Sequence, residues 1–106
     1  MEVLSPLPAR PTVDLAKRAV ALALETMTDV SADLQAIRAK HVAFAALSTL
    51  YPALSGTRIG LYLSYDKPSA AAAYVDSAKR RHWWNDTHVD HVIGALVGAD
   101  YGERAQ

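Results

Sequence analysis

The side chains best suited to chemistry in this sequence fall in two neighbouring clusters. His82, Asp86, His88, Asp90 and His91 form the densest set of potential metal ligands. His88 and His91 stand three apart, the spacing that puts two imidazoles on one face of a helix. A zinc centre asks for about four convergent donors, and no spacing ties His82 to that pair. Surface or helix-capping histidines, and no metal site, are therefore expected. Asp86 and Asp90 lie one helical turn apart, a solvated arrangement rather than a buried acid–base pair. Ser48, Ser55, Ser64 and Ser69 lie in no nucleophile-elbow sequence. Neither an enzyme nor a cofactor is expected.

The second cluster is cationic. Within residues 55–81, Arg58, Lys67, Lys79, Arg80 and Arg81 are set against only Asp66 and Asp76, a local charge of +3. Residues 82–106 carry Arg104 against Asp86, Asp90, Asp100 and Glu103, a local charge of −3. The whole chain is neutral, with 11 basic and 11 acidic side chains, so no global field draws in polyanions. Whatever anion binding exists must be local.

The elements that position these residues follow from composition and spacing. At 106 residues the chain has room for one domain. Alanine dominates the 51% hydrophobic content and β-branched residues are sparse, which favours helix because alanine loses no side-chain entropy there. No apolar run approaches the roughly 20 residues that cross a bilayer, and the first ten residues do not resemble a secretory signal. With no cysteine there is no disulfide and no thiolate site, and the cytoplasm is the expected compartment.

Pro6, Pro8 and Pro11 make residues 1–11 an irregular arm. Thr12 is an N-cap for a helix over about residues 13–27, with Leu15, Ala19, Leu22 and Ala23 at helical spacing. Ser31 caps a second segment whose apolar positions run through Leu34, Ile37, Val42, Ala45, Ala46 and Leu50, as one helix or two, until Pro52. Ser55 caps a short helix with Ile59, Tyr62 and Leu63 inward. Pro68 sits in the first turn of another, over about residues 69–82, with Tyr74, Val75 and Ala78 inward. Asn85 or Asp86 caps a last helix with a Val89, Val92, Ile93, Leu96 and Val97 stripe, and Gly98 stops it. Residues 99–106 should fray. The fold class is all-α: a bundle of five to six helices over residues 12–98.

Residues 55–81 have the layout of a helix-turn-helix: a short helix, a tight turn, then a second helix that brings cations. Such a helix fits the major groove while its predecessor braces it. Gly60 and Ala70–Ala73 would let the two cross closely, and Lys67 with Ser69 could hold a phosphate at the second helix's start. An ordinary helical hairpin with a solvated charged end has the same spacing. Trp83–Trp84 adds an aromatic pair. Two neighbours cannot point the same way on a helix, so a loop conformation that anchors both in the core is expected first. The alternative is that one anchors the last helix while the other serves a protein partner or a homodimer.

The stretch from Arg38 to Leu47, Arg-Ala-Lys-His-Val-Ala-Phe-Ala-Ala-Leu, resembles the helix that enters the C-terminal DNA-binding domain of the bacterial replication initiator DnaA. Ile59–Gly60, followed by Tyr62–Leu63 and a turn, is similar to that family's Ile-Gly step before its signature. The resemblance covers about residues 13–97 and implies a stand-alone helix-turn-helix domain of the same kind as the Trp-repressor class. It also implies backbone contacts by Arg38 and Lys40 and a polar contact by His41. The family's Arg-Asp-His-Thr-Thr run falls on Asp66, Lys67, Pro68, Ser69 and Ala70, where only Ser69 keeps a similar side chain and proline replaces the base-reading histidine. The family's basic loop is shortened away between Leu34 and Arg38. The resemblance thus implies neither the family's origin sequence nor ATP binding, since no phosphate loop is present.

Two functions follow as expectations. The first is a duplex-DNA-binding regulator of transcription or replication, placed on phosphates by Arg38, Lys40, Lys67 and Ser69 and secondarily by Arg58, Lys79 and Arg80. The second is a protein-interaction module that kept this fold after losing its DNA-reading residues.

Overall fold

Four of the helices begin where a short polar side chain takes up a free backbone N–H. The Thr12 hydroxyl accepts from Leu15 at 3.0 Å, Ser31 from Leu34 at 3.4 Å, Ser55 from Arg58 at 3.1 Å and Asn85 from Thr87 at 3.0 Å. Each such cap stabilises its helix by about 1 kcal/mol. In the computed structural model, which describes residues 7–27 and 30–98, these caps open α1 (Val13–Leu24), α2 (Ala32–Leu50), α3 (Gly56–Tyr62) and α5 (Asp86–Leu96). α4 (Ala71–Lys79) starts differently, from a 3₁₀ turn at Pro68–Ala70 with no side-chain cap. The described residues are all-helical, with no strand among them.

The ends of two helices depart from expectation. α1 stops at Leu24 rather than Met27; the Thr26 hydroxyl donates to the Ala23 carbonyl at 2.7 Å, closing the turn. α2 is one continuous helix. α4 is shorter at both ends than the expected 69–82: its first turn is 3₁₀, with Ala70 and Ala71 donating to the Lys67 and Pro68 carbonyls, and Arg80 leaves helical geometry at φ −93°, ψ 1°. Gly98, at φ 102°, adopts the left-handed conformation that ends α5. In the arm, Pro8 accepts from the Tyr51 hydroxyl at 2.8 Å, tying it to the end of α2. Residues 1–6 and 99–106 lie outside the described residues.

α2 is the central element, touching α1, α3, α4 and α5. The buried residues of α1 are all alanines (Ala16, Ala19 and Ala23), and α2 buries Ala39, Ala43, Ala45 and Ala46 beside Val42, Phe44 and Leu47. Small side chains bring helices close but each contributes little transfer free energy. The larger contributions come from the fully buried Leu47, Ile59, Val42, Val75 and Val92.

The α3–α4 corner is built by local chemistry. α3 ends in a Schellman motif: Tyr65 donates to the Gly60 carbonyl at 3.0 Å and Ser64 to Leu61 at 3.1 Å. Ser64 therefore takes φ 61°, a position that favours glycine. The following chain passes so close to α3 that a Cβ on Gly60 would stand 2.9 Å from the Ala71 Cβ and 3.0 Å from the Pro68 carbonyl oxygen. Gly60 is what allows the crossing.

Two expected inward faces are corrected. α4 buries Ala71, Val75 and Ala78, while Tyr74 is 45% exposed on the flank of that stripe. On α2, Leu34 and Ile37 are 44% and 54% exposed, because the first two turns of the helix run past the edge of the core.

Candidate functional site

The feature that gathers the most chemistry is a groove of about 830 Å³ between the first half of α2 and the second half of α4. The turn after α3 closes one end and the turn after α4 lies along the other side. Of the residues singled out from sequence, Arg38, Lys40, His41 and Lys67 line it. Arg58, Ser69, Lys79 and Arg80 do not: all four are exposed, Arg58 on α3, Ser69 in the 3₁₀ turn, and Lys79 and Arg80 at the end of α4. Arg81 joins the groove instead, because α4 ends at Lys79 and the chain turns there. Against these cations the groove carries one carboxylate, Asp66.

Three of the groove's polar side chains are held by intramolecular contacts. Lys40 Nζ donates to the Ser64 carbonyl at 3.3 Å and stands 5.4 Å from the centre of the Tyr65 ring. It thus braces the left-handed turn residue from α2. His41 Nδ1 lies 2.8 Å from the Tyr65 hydroxyl, and the two rings stack at 5.8 Å. Burial, with Lys40 beside it, holds the His41 pKa below its ordinary value; burial pushes the Tyr65 phenol well above the usual range. A neutral imidazole and a protonated phenol result, so the hydroxyl can donate to an unprotonated Nδ1. Arg38 lies over the Trp83 ring, 4.8 Å from its centre.

The tryptophans take the expected loop conformation, and it is the alternative of diverging roles that is not seen. Residues 81–84 form a turn rather than helix, and Trp83 and Trp84 meet with ring centres 5.5 Å apart, tilted by 59°. Both pack against the core, and the Trp84 indole N–H donates to Asp86 at 2.8 Å. Trp83 belongs to the groove.

The histidine cluster divides, with His91 apart from His82 and His88. His91 meets Glu25 at 3.2 Å on the surface, joining α5 to the end of α1. His88 instead lines a smaller cavity of about 460 Å³ with Thr26, Arg38, His82 and Trp83. Among the described residues, no three histidine or acidic side chains come together as a metal site. Nor is any helix among them long and apolar enough to cross a membrane.

The residues that sequence reading missed are Leu34, Ile37, Tyr65, Tyr74, Arg81 and Trp83 as groove lining. The apolar ones carry the signal of a buried helix face, and only the placement of α4 distinguishes a core position from a groove position. Arg81 stood in the cationic run and could have been found by ending the helix earlier. Comparison of the chain with protein families, with curated proteins and with solved structures finds no match.

Proposed function

We propose that this chain is a small helix-turn-helix protein that binds duplex DNA and acts as a regulator of transcription or replication. In this reading α3 is the bracing helix, residues 63–67 are the turn, and α4 is the helix presented to the DNA. The observation that carries it is the convergence of Arg38 and Lys40 from α2 with Lys67 and Arg81 from either end of α4 on one groove. Cations from separate elements on one side of a domain are what a phosphate backbone requires. The Gly60 crossing and the Schellman turn at Ser64 support the compact corner such a unit needs.

The exposed positions of α4 are Ala72, Ala73, Tyr74, Asp76, Ser77 and Lys79, which offer methyl contacts, two hydroxyls, one carboxylate and one ammonium group. Base readout through them is sparse. Affinity in this reading rests on phosphate contacts, and sequence preference on DNA shape or on pairing of two copies. The test is fluorescence anisotropy with a random-sequence duplex across a salt series. Affinity should fall steeply with salt, with Lys67→Ala lowering the log–log slope by about 1, the value of one phosphate contact. Absence of binding at low salt would reject the reading.

A further inference from the structure

We propose that the groove between α2 and α4 docks an acidic amphipathic helix of a partner protein, with its apolar stripe on Leu34, Ile37 and Tyr74 and its carboxylates on Lys67 and Arg81. This inference does not rest on DNA binding, and each can fail alone.

Leu34 and Ile37 stand one helical turn apart on α2 and are 44% and 54% exposed, with Tyr74 opposite at 45%. All three line the same concavity, so together they form one apolar floor rather than scattered surface residues. A phosphate backbone gains nothing from aliphatic side chains, whereas a helix laid into a groove presents apolar residues at three- and four-residue spacing to such a floor.

Charge points to the same kind of occupant. Lys67 and Arg81 are exposed, and no carboxylate among the described residues pairs with either. Arg38 and Lys40 add positive potential while engaged with Trp83 and the Ser64 carbonyl. With Asp66 as the single acidic lining residue, the complement of this rim is a partner carrying carboxylates on both flanks of an apolar stripe.

Unpaired nucleobases would need open aromatic faces, and the groove has few. Trp83 is covered by Arg38 and also meets Trp84; Tyr65 is taken by His41 and Lys40 and meets Phe44 nearly at right angles. Only the Tyr74 phenol and the His82 imidazole lack such a partner.

The test uses the full chain and a fluorescein-labelled helical peptide of about 20 residues, with leucine at helical spacing and glutamate elsewhere. A scrambled peptide of identical composition and an unlabelled random duplex accompany it. The amphipathic peptide should bind about tenfold or more tightly than the scrambled one, and Ile37→Glu and Leu34→Glu should each remove that preference. Both positions are exposed, so circular dichroism should report a retained fold. Arg81→Glu should weaken binding and its salt dependence together. Because Lys67 serves both ligands, the duplex should displace the peptide if the DNA reading also holds. Equal binding of the two peptides, or indifference to Ile37→Glu, overturns the proposal. So does a groove-dependent dimer in sedimentation that Ile37→Glu dissolves, which would make a second copy the occupant. Peptide binding without duplex binding would sustain this inference and reject the DNA reading; duplex binding alone would do the reverse.

Discussion

The Arg38 guanidinium lies 4.8 Å from the centre of the Trp83 ring, joining the first half of α2 to the turn between α4 and α5. Both residues line the groove and the smaller cavity beside it, so this contact forms the wall between the two. A partly desolvated cation–π contact contributes about 1 kcal/mol, and the arginine stem adds apolar packing. Arg38→Ala should destabilise the fold by about 1–2 kcal/mol in urea denaturation. A double-mutant cycle with Trp83→Leu should return a coupling of about 1 kcal/mol. Strict additivity would mean that the two side chains merely lie near each other.

Two glycines in helices should respond in opposite directions. A methyl group on Gly60 would meet Ala71 and the Pro68 carbonyl at 2.9 and 3.0 Å, and the latter is backbone that cannot turn aside. Gly60→Ala should therefore destabilise by about 1–3 kcal/mol through forced separation of α3 and α4. A Cβ on Gly94, in α5, meets nothing within 4 Å. Gly94→Ala should stabilise by about 0.5–1 kcal/mol through helix propensity. Thermal denaturation of the two variants beside the parent checks both signs.

Ser64 holds φ 61° inside the Schellman motif that ends α3. Ser64→Gly relieves that conformation and should raise stability by about 0.5–1 kcal/mol, whereas Ser64→Val should lower it by more. Urea denaturation of the two variants reads both changes. Lys40 bonds to the carbonyl of the same residue, which any side chain retains, so the glycine variant keeps this brace. A destabilised Ser64→Gly variant would mean that residue 64 does not occupy the left-handed region.

His41 predicts how stability varies with pH. Its folded-state pKa lies below the ordinary value of 6.5, through burial first and Lys40 second. Between the two values the unfolded chain binds the extra proton, so stability rises with pH there. The contribution of neutral His41 is complete above pH 6.5 and is lost as pH falls toward its folded-state value. His41→Gln, which keeps a hydrogen-bonding group near Tyr65, should flatten the stability profile below pH 6.5 relative to the parent. An unchanged profile would assign the slope to other groups.

What the sequence makes legible divides along a physical line. Thr12, Ser31, Ser55 and Asn85 are caps, Pro68 opens a first turn and Gly98 ends a helix because each acts on backbone within a few residues. Such chemistry can be read without the fold. Leu34 and Ile37 could not be placed the same way: their spacing marks a helix face, but whether that face meets core or solvent depends on how far α4 extends beside it. The His41–Tyr65 pair joins residues 24 apart, and nothing local announces it. Arg38, Lys40 and Lys67 stand out by charge and by the family resemblance. Their common groove is a property of tertiary packing, as is the separation of Arg58 and Lys79 from it.

The central claim, that DNA binds along the groove side of α4, is tested most directly by amide chemical-shift mapping of the full chain with a random-sequence duplex. Shifts should concentrate in residues 36–41 and 65–83, with α1 and the exposed face of α5 unmoved. Shifts centred on α1 and α5, or none at low salt, would contradict it.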